Sequence, residues 1–205
     1  NPRKAMSRLP GETEAEHEEW LLIFENLHLA SLPGYPAWEQ NVYSSLHSCW
    51  KELLSIFTFY CKHNMMAASA ADGGLRLSAA GWIALVKKAA LPVPQKMEET
   101  GLIQLFTKVA RRSAGVPDDA PANASEALLD HSGQASYMRA RAESIDFSGF
   151  VELLIHSAHG RLNPIQVNRD PRRKLTPLLQ CVETMLADLV LPSCPRDAAH
   201  TVRDA

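Results

Sequence analysis

The stretch LRLSAAGWIALVKKAAL, residues 75–91, contains an apolar residue, a helix cap and an amphipathic helix in direct succession. Leu77 is followed by Ser78, whose hydroxyl is a favourable N-cap, and apolar residues then recur at helical spacing through Trp82. Prolines follow the stretch, and proline cannot continue the backbone hydrogen bonds of a helix. The stretch therefore predicts a helix over residues 78–90 with one buried face.

A second segment, residues 144–160, repeats this order of apolar residues. The two segments align at Leu77 and Ile145, and each is followed five residues later by an aromatic residue, Trp82 or Phe150. An apolar pair then follows the aromatic residue after three and four positions in both segments. Two EF-hand motifs that share a core and pair through a two-residue β-bridge have this pattern. We therefore predict a bridge between Leu77 and Ile145, with Trp82 and Phe150 packed in the core.

The loops before these two helices lack the oxygen ligands that calcium requires. A calcium-binding EF-hand loop has ligands at positions 1, 3, 5, 7 and 9 and a bidentate glutamate at position 12. If Leu77 and Ile145 are position 8, position 12 is Gly81 in the first loop and Gly149 in the second. Other ligand positions of the two loops hold Ala70, Asp72, Gly74, Met138, Ala140, Ala142 and Asp146. We expect neither loop to bind calcium, and we predict no metal and no cofactor.

The rest of the chain predicts an all-α architecture in which N- and C-terminal helices flank the EF-hand-like pair. Helical spacing of apolar residues extends over 13–30, 37–62, 95–112, 148–159 and 174–190. We divide the chain into an N-terminal helix and linker, the paired unit, and a basic linker with a C-terminal helix and tail: 1–36, 37–160 and 161–205. Residues 113–143 predict a polar surface insertion. The two terminal helices, 13–30 and 174–190, would either clasp a neighbouring protein or cover the apolar groove that sensor EF-hands offer to a partner helix. With the helix at 174–190 in that groove, the pair would stay closed.

The composition excludes several classes of partner. The 205 residues are 46% hydrophobic and 21% charged, with a formal net charge of −2. Such a balance favours neither nucleic acid nor a membrane surface as partner, and the apolar runs are too short to span a bilayer. Four cysteines without CxxC spacing predict buried free thiols in a reducing cytosol. The first residue is asparagine rather than methionine, so one interpretation is a segment of a longer protein.

The sequence contains no recognised catalytic motif. It has no nucleophile elbow, P-loop, dinucleotide-binding glycine motif or HExxH motif. His156 and His159 have the spacing to share one helix face, but a zinc site would need further ligands. We interpret them as solvated side chains at a helix end, and we predict a protein without catalytic residues or a small-molecule substrate. An enzyme would need a bound metal that the sequence does not indicate.

Residues 53–158 resemble the core of the p25-alpha family, the tubulin polymerization-promoting proteins. Residues before and after the first loop, and the two later helices, carry the resemblance: Phe57, Tyr60, Trp82, Leu85, LFTKVARR at 105–112 and IDFSGFVELL at 145–154. The chain departs from the family in its long 113–143 insertion and in lacking a glycine-rich GxGxGxxGR signature.

The resemblance implies a calcium-independent EF-hand-like scaffold that binds tubulin, microtubules or axonemal proteins in the cytoplasm, at the cytoskeleton of a cilium or flagellum. A basic cluster offers one surface for such a partner: Arg169, Arg172, Arg173 and Lys174. This cluster is interpreted either as a contact for the acidic surface of tubulin or as a solvated linker. The alternative function is a regulatory adaptor whose EF-hand-like pair binds a helix of a partner outside the cytoskeleton.

Overall fold

The computed structural model describes residues 7–63, 74–94, 96–115, 143–163 and 174–198. The chain in these ranges is mostly helical, which confirms the all-α prediction. The helices are α1 Glu14–Glu25, α2 Glu39–His47, α3 Trp50–His63, α4 Ala79–Lys88, α5 Glu99–Ser113, α6 Phe147–Leu162, α7 Leu178–Met185 and α8 Leu191–Ser193. A π-helical turn, Leu186–Val190, joins α7 to α8. The two short strands are β1 Leu77–Ser78 and β2 Ser144–Ile145.

The two strands form the predicted two-residue bridge. They pair antiparallel, with Leu77 opposite Ile145 and Ser78 opposite Ser144. The Arg76 side chain supports the bridge, because its Nε and Nη2 donate hydrogen bonds to the hydroxyl and the carbonyl of Ser144, each at 2.8 Å. Since α4 follows β1 directly and α6 begins two residues after β2 ends, the bridge places the starts of these two helices side by side.

One hydrophobic core joins helices α1 to α7. Trp82 of α4 and Phe150 of α6 are both fully buried in it. The Trp82 Nε1–H group donates a hydrogen bond to the Leu102 carbonyl of α5 at 3.1 Å, which satisfies the one polar atom of the indole. Phe57 of α3 contacts Phe150, with 5.5 Å between the ring centroids. The aromatic residues of the aligned motifs thus pack where the helices before and after the loops meet.

The prediction of one continuous helix over residues 37–62 is wrong, because the chain forms α2 and α3 there with a break at Ser48 and Cys49. The Ser48 hydroxyl donates a hydrogen bond to the Ser45 carbonyl at 2.7 Å. The Cys49 thiol lies 3.7 Å from the same carbonyl. Such side-chain bonds offer the backbone carbonyl an alternative to its helical partner, which favours an interruption.

Helix α1 ends at Glu25, earlier than the predicted end near residue 30. Two tertiary contacts hold the residues after α1 in a non-helical conformation. Leu29 is buried in the core, and the His28 N–H group donates a hydrogen bond to Glu152 of α6 at 3.1 Å. A backbone N–H committed to a distant carboxylate cannot extend the helix, so the tertiary contact overrides the local periodicity.

The C-terminal helix, α7, begins at Leu178, somewhat later than predicted. The residues before it are attached to the end of α6, because Thr176 and Asn163 exchange hydrogen bonds of 2.7 and 3.0 Å. Helix α7 packs against α6 and α2. The segment after α8 lies on α3, where the Asp197 N–H group donates a hydrogen bond to Ser55 Oγ at 3.0 Å. The C-terminal residues therefore cover α2, α3 and α6.

Candidate functional site

Two short polar side chains cap α4 and α6 in the same way. Ser78 Oγ accepts a hydrogen bond from the Gly81 N–H group at 3.2 Å, and Asp146 Oδ1 accepts one from the Gly149 N–H group at 2.9 Å. In the aligned loops these residues occupy positions 9 and 12. The side chain at position 9 therefore serves as a helix cap in both segments. Position 12 contributes a backbone donor, and a donor cannot ligate a cation.

Gly149 lies so close to its neighbours that a side chain there would displace them. A Cβ atom at this position would come within 3.1 Å of Ile145 Cβ and 3.3 Å of Val109 Cγ1. Both neighbours are buried in the core. Ile145 and Val109 would have to move by a few tenths of an ångström to admit a side chain at this position, and overpacking of a core is destabilising.

A buried carboxylate, Glu152 of α6, connects three parts of the chain. Its side chain is 3% exposed. Oε1 accepts a hydrogen bond from Arg112 Nη1 of α5 at 2.7 Å. Oε2 accepts one from the His28 backbone N–H at 3.1 Å and lies 3.3 Å from the His28 Nδ1 atom. An ionised carboxylate is stable in the core only with partners of this kind, so Glu152 holds α5, α6 and the residues after α1 together.

His156 lies one turn beyond Glu152 and is mostly buried, with 16% of its side chain exposed. This position differs from the solvated one that we predicted for it. The pKa of His156 is lowered to about 4, mainly by burial. A hydrogen bond with the His28 backbone opposes this change, and the charges of Arg112, Lys108 and His159 contribute to it. Burial also lowers the pKa of His159. The neutral imidazole is therefore the favoured form of His156 near pH 7.

A cleft of about 240 Å³ opens beside Glu152. The charged and titratable side chains along its wall are Lys108, Arg112, Glu152, His156 and His159. Two cations and two imidazoles thus surround one carboxylate, which gives the cleft a basic character. The predicted pairing of His156 and His159 on one face is present, but these residues line a cleft with cations and have no cysteine beside them in it. This wall favours acidic groups over metal ions.

A second buried polar cluster consists of Glu12, His17 and His47. Glu12 Oε1 and His47 Nε2 are hydrogen-bonded at 2.7 Å, and His17 Nδ1 lies 3.4 Å from Glu12 Oε2. The exposed fractions of the three side chains are 3%, 13% and 2%, respectively. The Leu9 backbone N–H donates a further hydrogen bond to Glu12 Oε2 at 3.0 Å. The ligand atoms of the three residues all lie within 4.8 Å of one another.

The aromatic residues of α1 and α2 position this cluster. The Trp20 indole is nearly parallel to the His47 ring, with an interplanar angle of 6° and 6.0 Å between the centroids. Burial raises the pKa of Glu12, but the hydrogen bond from Leu9 and the hydrogen bond and charge of His47 lower it more, so its pKa is below the usual value. Burial, with a smaller effect of the Glu12 charge, raises the pKa of Tyr43 to about 12. The hydrogen bonds to Glu12 therefore favour its ionised form.

The Glu12 cluster was not predicted from the sequence, although α2 contains a signal for it. His47 follows Tyr43 and Leu46 on the buried stripe of α2. A histidine at an apolar-stripe position requires a polar partner in the core, and that partner is Glu12, 35 residues earlier. Sequence spacing alone does not show which residue provides it.

The structure describes five of the predicted site residues. Leu77 and Ile145 pair in the bridge, Trp82 and Phe150 are buried, and Lys174 is exposed. The other three residues of the basic cluster lie outside the described ranges: Arg169, Arg172 and Arg173. The predicted insertion, 113–143, also lies mostly outside them, and so do the first positions of both loops.

Two further findings concern the class of protein. Among the helices that the structure describes, none is both long and apolar enough to cross a membrane. No family model matches the chain, and searches of characterised proteins and of solved structures found no match either. The resemblance of residues 53–158 to the p25-alpha family therefore rests on motif spacing and residue class alone.

Proposed function

We propose that the chain is a calcium-independent, EF-hand-like scaffold that contacts microtubules or proteins of a ciliary or flagellar axoneme and catalyses no reaction. The antiparallel bridge between Leu77 and Ile145 carries the EF-hand part of this proposal, because it joins two segments whose following helices are capped alike. In a pair of EF-hands, residues at position 8 of the two loops meet in this way.

The chemistry of the helix starts supports calcium independence. The residues at position 12 are glycines, and the one at Gly149 is closely packed against Val109 of α5. The position 9 side chains, Ser78 and Asp146, already accept hydrogen bonds from these glycines. A calcium ion would therefore lack the bidentate ligand and would compete with a helix cap for the Asp146 carboxylate.

The position of the C-terminal residues supports a closed scaffold. Helix α7 covers α6 and α2, and Asp197 is hydrogen-bonded to Ser55 of α3. Asp197 also forms a salt bridge with Lys62 of α3 at 2.8 Å. A partner helix that entered between α3 and α6 would have to displace these contacts. Contact through an outer surface is therefore favoured over the groove binding of a regulatory adaptor.

The microtubule part of the proposal rests on the p25-alpha resemblance and on the basic cluster. Lys174 is exposed, and the three arginines close to it in sequence would extend the positive charge toward an acidic protein surface. A contact of this kind weakens as salt is added, because exposed charges are screened.

Co-sedimentation with purified microtubules at low and high salt tests this proposal. We expect the chain to pellet with microtubules at low salt and to be released by salt. A variant with alanine at 169, 172, 173 and 174 should pellet less. A control with the same loss of charge replaces four exposed basic residues elsewhere: Arg8, Lys87, Lys88 and Lys96. An equal decrease in pelleting for both variants would refute a role for the basic cluster. A wild-type chain that does not pellet at low salt would refute microtubule binding.

Calorimetry with calcium tests the proposed calcium independence separately. We expect no saturable heat with calcium at micromolar concentrations. A one-to-one binding curve would contradict calcium independence and leave the microtubule result unaffected. A pull-down from ciliated cells dominated by one protein other than tubulin would favour the adaptor.

A further inference from the structure

We propose that Glu12, His17 and His47 bind one divalent transition-metal ion of the zinc class. This site is formed by Glu12, which precedes α1, by His17 of α1 and by His47 of α2, and it is independent of the proposed scaffold function. It also departs from the prediction of no metal.

The three side chains are typical ligands of zinc-class ions. Two imidazole nitrogens and one carboxylate form the three-ligand set of many zinc sites, in which water or substrate takes the fourth position. Imidazole favours zinc, copper, nickel and iron, whereas calcium and magnesium prefer oxygen ligands alone. Glu12 would neutralise one of the two positive charges of the ion, and the two imidazoles would bind as neutral ligands.

The donor atoms of the three residues lie close to the spacing that a bound ion requires. Bonds of about 2.0–2.1 Å to a tetrahedral ion place the donor atoms about 3.3 Å apart. The observed separations are 2.7 Å from Glu12 Oε1 to His47 Nε2 and 3.4 Å from the other carboxylate oxygen, Oε2, to His17 Nδ1, and with one ligand atom taken from each residue the three atoms lie within 4.8 Å of one another. Small side-chain rotations would therefore suffice to reach ligand spacing.

One nitrogen of His17 is buried without a hydrogen bond in the described part of the chain. His17 Nδ1 is buried and has no hydrogen-bond partner among the residues that the structure describes, although it lies 3.4 Å from Glu12 Oε2. A buried polar atom without a partner costs about 1–3 kcal/mol, so such atoms are uncommon and call for a reason. A metal ion bound at this nitrogen would provide it.

The surroundings supply the remaining requirements of a metal site. The Leu9 N–H group donates to Glu12 and orients its carboxylate, as second-layer hydrogen bonds do in zinc proteins. A cleft of about 170 Å³ bordered by Glu12 and His47 offers room for a water ligand. The ion would join the residues before α1, α1 itself and α2, and so would fix the N-terminal helix on the core.

Titration of the metal-stripped full chain with Zn²⁺ and Co²⁺ tests the proposal. We expect one-to-one binding, competition between the two ions, and quenching of tryptophan fluorescence by Co²⁺, because Trp20 stacks on His47. Saturation with Zn²⁺ at about 100 times its dissociation constant should raise the melting temperature by about 5–10 °C. Ca²⁺ and Mg²⁺ should produce neither effect.

The variant His17→Gln is the decisive one, because it leaves the Glu12–His47 hydrogen bond in place and should keep the fold. We expect its Zn²⁺ affinity to fall at least about 10-fold with an unchanged circular dichroism spectrum. The control His63→Gln removes an exposed histidine of α3 that stacks on Phe59, and should bind as the wild type does. Absence of one-to-one binding by the wild type, or equal affinity in His17→Gln, would overturn the proposal.

Discussion

Replacement of Glu152 by alanine would show how much this buried carboxylate contributes to stability. The carboxylate accepts hydrogen bonds from Arg112 at 2.7 Å and from the His28 N–H at 3.1 Å. Hydrogen bonds to a charged group contribute about 1.5–3 kcal/mol each, and loss of one partner of a buried ion pair costs about 3–5 kcal/mol. Because Arg112 is 18% exposed and water can partly solvate it, we expect the free energy of unfolding to fall by about 3–4 kcal/mol.

Urea denaturation followed by circular dichroism measures this change, and thermal melts give an independent value. For a chain of this length the expected loss corresponds to a decrease of about 6–16 °C in melting temperature. The control is Glu18→Ala, which removes an exposed carboxylate from α1 and should change the free energy of unfolding by no more than about 0.5 kcal/mol.

A double-mutant cycle with Arg112→Ala separates the ion pair from other effects of each replacement. We expect the double variant to lose about 1–3 kcal/mol less stability than the sum of the two single losses. The reason is that Arg112→Ala removes the charge that Glu152→Ala leaves without its carboxylate. A loss below about 1 kcal/mol for Glu152→Ala, or strictly additive losses, would refute the role that we assign to the pair.

Three further changes follow from the helix caps, the buried histidine and the thiols. Ser78→Ala and Asp146→Ala should each lower the free energy of unfolding by about 0.5–2 kcal/mol in urea titrations, and a change near zero in both would contradict their role as caps. Burial holds the pKa of His156 near 4, so between about pH 6.5 and 4 the unfolded chain binds the proton that the folded chain excludes. Stability should therefore fall by about 2 kcal/mol from pH 7.5 to pH 5, and His156→Gln should show a smaller fall in the same urea titrations. Burial raises the pKa of Cys49 and of Cys61 to about 12, so a thiol reagent at pH 8 should label the native chain slowly and all four cysteines after guanidinium is added.

The pairing of the two loops could be predicted from the sequence because its determinants are local and occur twice. Leu77 and Ile145 precede a capping residue and an aromatic residue at the same spacing, and the structure pairs them in the predicted register. The burial of Trp82 and Phe150 follows from the same helical periodicity. Because one pattern occurs twice, it predicts the two helices and also the pairing of the strands that precede them.

The two polar clusters could not be predicted, because their residues are distant in sequence and no motif relates them. Glu12 and His47 are 35 residues apart, and His28 and Glu152 are 124 residues apart. The break between α2 and α3 escaped prediction for a different reason. The apolar stripe continues across it without glycine or proline, while the interruption comes from side-chain hydrogen bonds to the Ser45 carbonyl.

Two buried carboxylates, Glu12 and Glu152, act on opposite ends of the same N-terminal segment. Glu12 precedes α1 and is bonded to His47 of α2, while His28 follows α1 and donates to Glu152 of α6. Apolar burial of the residues between them supplies most of the free energy, whereas directional hydrogen bonds fix the position of α1 on the core. The outer face of α1, where Leu22 is 62% exposed, is therefore held in one orientation relative to the paired helix starts.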